Sequence, residues 1–192
     1  MTRGMRIRVF VLQAGLIGIF AFGSVLALAM GSFIHGMITD QLTTQQIYFP
    51  AAGSKALPAA EFPDLQQYGG QQVNDGVKAQ AYANGFIGRH LQSVAGGLTY
   101  AQVSAKAQAA PTDTKIAGQV ATMFKGETLR GLLLNTYGWW TAGTYATYAG
   151  IGLAVATGAI LLALLVEIFL AVKAGETAKT VVAPATRLAR QV

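Results

Sequence analysis

Two long stretches without a charged residue dominate the pattern of this chain, Val9 to Ile34 and Trp139 to Val166. About 20 apolar residues carry a helix across a bilayer, and nothing between Gly36 and Gly138 is comparably apolar. Transmembrane helices are therefore predicted over residues 9–35 and 139–172. Val25-Leu-Ala-Leu-Ala29 has the small residues of a secretory cleavage site. The apolar core of a signal peptide runs only about 7–15 residues, so a retained membrane helix is expected.

Between the spans the pattern changes repeatedly. Gln41 to Phe49 alternates weakly and is β-permissive, and Pro50, Pro58 and Pro63 among Ala and Gly predict a loop lying on a surface. From Asn74 to Ala95 the apolar positions recur at three and four. They place Ala79, Ala83, Phe86, Ile87, His90, Leu91 and Val94 on one helical stripe. Asn74 or Asp75 suits the N-cap, and Gly96-Gly97 suit the C-terminus. Thr99 with Gln102 fits a capping box. Pro111-Thr-Asp113 breaks the chain and caps a further helix near Lys115. Ile116, Val120, Met123 and Phe124 share a side of that helix, which is expected to run into the second span.

Charge fixes the expected topology. Arg3, Arg6 and Arg8 precede the first span, and Lys173, Lys179, Arg187 and Arg190 follow the second, with Glu176 among them. The segment between carries seven basic against six acidic side chains. The net charge of +6 thus belongs to the chain ends. Basic flanks stay on the cytoplasmic side, so residues 1–8 and the tail 173–192 are expected there, and residues 36–138 outside. No basic patch with interleaved aromatics remains for nucleic acid. The expected fold is an all-α membrane protein, with two transmembrane helices and a small helical extracytoplasmic domain containing a Pro-rich loop.

Five aromatic residues, Tyr137, Trp139, Trp140, Tyr145 and Tyr148, crowd the outer end of the second span. Trp and Tyr concentrate where lipid meets water, so they are read as an interfacial belt. From Leu132 to Val172 only Glu167 is charged, a run too long for one untilted crossing. Gly23, Ala27 and Gly31 lie four apart on the first span, as do Ala146, Gly150, Ala154 and Gly158 on the second. Small residues at this spacing let helices approach closely in lipid. Glu167 is expected to snorkel or to pair with Lys173.

Little catalytic chemistry is on offer. The chain has no cysteine and two histidines, His35 and His90. With Asp40 or Glu127 these are weak candidates for copper or zinc. No cofactor is expected, and the phosphate, dinucleotide and hydrolase motifs are absent.

Gln41-x4-Gln46-Ile, Gln71-Gln-Val, Ala79-x-Ala-Tyr-Ala83, Ile87-x-x-His90, Gly96-Gly97-Leu-Thr-Tyr-Ala101 and Thr128-Leu-Arg130 before an apolar helix make up a recognisable order. It resembles a family of small two-span actinobacterial membrane proteins of unknown function, over roughly Thr39 to Leu165. This chain departs from that pattern in carrying Gln102 where an acid is usual, and in its aromatic approach to the second span. The resemblance implies a two-span topology and a bacterial envelope setting. Members often carry the label of an aromatic ring-opening dioxygenase. Such an enzyme needs iron held by several His and carboxylates, which two distant histidines do not supply. The expected function is a non-catalytic accessory subunit of a larger membrane complex, respiratory, oxidase or monooxygenase, in contact with lipid and other integral membrane subunits. The alternative is a free-standing envelope sensor or ligand-binding protein built around His90, Tyr100 and Glu127.

Overall fold

The computed structural model describes residues 3–188, with side chains over residues 4–174. Most of the tail 173–192, including the side chains of Lys179, Arg187, Arg190 and Glu176, lies outside that range. The chain is mostly helical, with no β-strand among the described residues. In order it forms α1 (Arg3–Gln45), a 3-10 helix (Pro63–Tyr68), α2 (Gly76–Gln80), a π-helical segment (Ala81–Ile87), α3 (Gly88–Ala95), α4 (Tyr100–Ala109) and α5 (Thr114–Leu188). Gly4–Gln45 and Thr114–Ala174 are both long and apolar enough to cross a membrane.

The chain divides into two compact units. One holds residues 1–29 and 147–192, the other residues 30–146. The first is an antiparallel pair made from α1 and α5, in which Gly23 meets Leu153 and Leu28 meets Gly150.

The central unit has one apolar core. Ile34, Ile38 and Leu42 come from α1, Leu91 from α3, Val103 from α4, and Met123 and Leu133 from α5. The Pro-rich segment joins them. Phe49, Leu57, Phe62 and Leu65 are buried, so this stretch is core wall as well as surface loop. Rings pack in a chain through it: Phe49 stacks on Tyr68 at 5.2 Å and meets Tyr82 edge-on at 5.0 Å, and Tyr82 lies tilted 5.0 Å from Phe86. Gln66 organises the loop. Its Nε2 donates to the carbonyls of Leu57 and Phe62, and its Oε1 accepts from the Gly53 amide at 2.8 Å.

Two local expectations are corrected. Gln41–Gln45 closes α1 and is not extended. Only Tyr48 makes β contact, as an isolated antiparallel bridge to Gln72, flanked by Phe49 N–Gln71 O and Val73 N–Ile47 O bonds of 2.9 Å. Propensity there yields to continuity of a helix whose Ile38 and Leu42 are already buried.

The second correction concerns His90, which is exposed. From α2 to α3 the buried apolar side chains are Ala79, Ala83, Ile87, Leu91 and Ala95, spaced by four, with Gly76 buried ahead of them. A π-helix bonds i to i+5, giving a wider turn than 3.6 residues. The segment Ala81–Ile87 therefore stretches the stripe and rotates His90 off it. The caps follow expectation: Asp75 accepts from the Lys78 amide at 2.8 Å, Thr99 and Gln102 form a capping box, and Asp113 accepts from the amides of Lys115 and Ile116. Gly96 and Gly97 have φ of 60° and 81°, the left-handed region that favours glycine. Met123 is buried as expected, whereas Phe124 is exposed and lies 6.1 Å from the Tyr100 ring.

Candidate functional site

In the paired-helix unit the less exposed positions on α1 include Phe10, Gln13, Ile17, Phe20, Gly23, Ser24 and Ala27. On α5 they include Thr147, Gly150, Leu153, Thr157, Ile160, Leu164 and Glu167. Within each series most of these positions recur at three and four, close to the 3.5-residue spacing of a packed helix pair. The seam is tight at its small residues. A Cβ on Gly150 would lie 2.7 Å from Leu28 Cγ, and one on Gly23 would lie 3.3 Å from Leu153. Ser24 is buried and donates from Oγ to the Gly150 carbonyl at 2.8 Å.

The second small-residue stripe only half follows the seam. Gly150 is buried there, but Ala154 and Gly158 are exposed. A strict spacing of four turns 400°, so each step drifts about 40° off an ideal helix face. By Gly158 the stripe faces away, and a Cβ there meets nothing within 4 Å. Gly31 and Ala146 belong to the central unit, where Gly31 is buried and Ala146 half-buried. Glu167 turns toward α1, and Gln13 Nε2 donates to its carboxylate at 3.3 Å.

The aromatic cluster divides too. Trp139, Tyr145 and Tyr148 are exposed on α5, whereas Tyr137 and Trp140 are partly buried. Trp140 packs on the core of the central unit and stacks on His35, ring centroids 4.0 Å apart. His35 Nε2 lies 3.1 Å from both the Trp140 carbonyl and Thr144 Oγ1. This histidine is a packing and hydrogen-bonding residue between α1 and α5.

His90 sits elsewhere, on the wall of a cavity of about 530 Å³ between the Pro-rich segment and α3. Arg89 fixes that wall. It binds both carboxylate oxygens of Asp64, at 2.7 and 2.8 Å, and the Glu61 carbonyl at 3.2 Å. Its guanidinium carbon lies 5.5 Å from the Phe62 ring centre, within cation–π range. The hydrogen bonds from Arg89 hold the Asp64 carboxyl below its ordinary value. Burial pushes the Tyr82 phenol up.

Glu127 lines a second, smaller cavity of about 230 Å³ with Arg130 and Asn84. It pairs with Arg130 at 3.3 Å, and Arg130 also donates to Asn84. Tyr100 lines neither cavity, so His90, Tyr100 and Glu127 do not form one site. Among the described residues no group of three or more His, Cys, Asp or Glu could hold a metal ion. His35 and His90 belong to separate environments. Sequence reasoning missed Gln66, Lys55 and Ser93, whose places depend on how the Pro-rich segment folds back. No protein-family model, no curated protein and no solved structure matches this chain.

Proposed function

We propose that this chain is a non-catalytic accessory subunit of a larger bacterial membrane complex. On this reading both termini are cytoplasmic, residues 36–138 are extracytoplasmic, and the chain belongs with the small two-span actinobacterial proteins it resembles. The complex is a respiratory, oxidase or monooxygenase assembly, in which small helical subunits stabilise larger ones. The observation that carries the proposal is the outward placement of Ala154 and Gly158. Small residues serve close helix approach in lipid, and α1 uses only part of the stripe. In the same unit Tyr148 is also more than half exposed.

The test is a tagged preparation from native membranes in mild detergent, analysed by mass spectrometry beside Ala154→Leu and Gly158→Leu variants. The expected result is the same integral membrane subunits in fixed stoichiometry, lost from both variants while the chain itself still accumulates. A monomer with no co-purifying membrane protein overturns the proposal.

A further inference from the structure

The geometry points to a binding site for a small amphiphilic monocarboxylate in the cavity between the Pro-rich segment and α3. This inference is independent of the accessory-subunit reading, because it concerns only the central unit. The cavity, about 530 Å³, falls in the range of roughly 300–1,000 Å³ typical of small-molecule sites.

Its apolar lining comes from Ala56, Pro58, Phe62 and Phe86, with the two rings' centroids 5.9 Å apart. Lys55, His90, Ser93 and Glu61 also line it. None of these four has a side-chain hydrogen bond or ion pair among the described residues, whereas Arg89 beside them is fully engaged by Asp64 and Glu61. An ammonium, an imidazole and a hydroxyl lining one cavity supply donors for an oxyanion. Glu61 puts a negative charge in the same lining, which offsets that of Lys55 and opposes a dianion about twice as strongly as a monoanion. The two rings accommodate an apolar body. One negative head and an apolar body describe a monocarboxylate.

The backbone provides a second, separate observation. The π-helical segment Ala81–Ile87 is seven residues long, and π turns are rare and often found at functional sites. Here the turn has a specific consequence. It keeps Ala83, Ile87 and Leu91 in the core while Phe86, His90 and Ser93 line the cavity. These three are spaced by four and three, so they share a helix face. The Arg89–Asp64 clamp then holds the opposite wall in place without a ligand, which lowers the ordering cost of binding.

The experiment is titration calorimetry on the full chain in lipid nanodiscs, with empty nanodiscs as the blank. The probes are hexanoate, acetate and 1-hexanol. Saturable one-to-one binding of hexanoate is expected, with acetate and 1-hexanol at least tenfold weaker. Lys55→Met and His90→Gln change exposed side chains, and each should weaken hexanoate at least fivefold with the melting temperature unchanged. Absence of saturable hexanoate binding overturns the proposal. So does 1-hexanol binding as tightly as hexanoate, or hexanoate affinity unchanged in both variants.

Discussion

Ser24 and Gly150 are joined across the paired helices by the serine hydroxyl, which donates to the glycine carbonyl at 2.8 Å, and the missing Cβ of Gly150 admits Leu28, one turn further along α1. Hydrogen bond and close packing occupy the same spot on the seam. The hydrogen bond needs the close approach, and glycine permits it.

Gly150→Ala is expected to destabilise the helix pair by about 1–2 kcal/mol. Overpacking costs about 1–3 kcal/mol, and the better helix propensity of alanine recovers up to about 1 kcal/mol. Gly152→Ala is the control, because a Cβ there meets nothing within 4 Å. Steric-trapping measurements in bicelles would compare the two, and equal stabilities would refute the seam described here.

Ser24→Ala should cost less, about 0.6 kcal/mol and at most about 1.7 kcal/mol, the range of interhelical hydrogen bonds in membranes. Combined with Gly150→Ala its effect should be less than additive, since both changes act on one contact. Strict additivity in the double-mutant cycle counts against a shared contact.

Gly76→Ala acts in the central unit. A Cβ at Gly76 would overlap Trp140 at its Cβ and Cγ, so α2 must move away from α5. A loss of about 3 kcal/mol is expected, near the upper end for overpacking. Gly118→Ala in α5, with open space around it, should be neutral or slightly stabilising. Thermal denaturation followed by Trp fluorescence reads both.

Asp64→Asn tests the Arg89 clamp through pH. The folded carboxyl is held below its ordinary value of 3.8 by the Arg89 hydrogen bonds. A depressed carboxylate contributes stability above the unfolded value, and loses it as pH falls through the folded one. Because the pair is exposed, the variant should lose no more than about 1 kcal/mol at pH 7. The gap to the parent should close as pH falls through the lowered folded value. A gap that persists in acid would mean that the loss is steric.

Ala154→Leu and Gly158→Leu should leave the stability of the isolated chain within about 0.5 kcal/mol, as surface substitutions do. Any larger loss in steric trapping would place these residues inside the pair rather than on its outer face.

Much of the helical layout is legible in the sequence because it rests on local signals. The uncharged stretches mark the long helices, Asp75 and Asp113 mark two starts, and the Thr99–Gln102 box marks a third. What the sequence conceals depends on summed rotation or on distant contact. A stripe spaced by four looks continuous from Ala146 to Gly158, but the seam follows a different period and drops it after Gly150. His90 reads as a core position on 3.6-residue arithmetic, and the π segment, which no local residue announces, moves it out. Trp140 shares its composition with the exposed belt, and only the chain partner His35 separates it from Trp139. The Pro-rich segment carries buried Leu57 and Phe62 with no periodicity, so its role as core wall cannot be read from pattern.

The 3.5-residue seam also sets a rule for how this chain tolerates changes of length. One residue inserted into α1 between Gln13 and Ser24 rotates everything on one side by about 100°. Gln13 would then leave Glu167 if Ser24 kept Gly150. Seven inserted residues rotate it by about two full turns less 20° but lengthen α1 by about 10 Å, so both contacts survive only if α5 gains a matching length. Within this stretch, natural length variants of the chain should therefore change both helices together, and by whole heptads.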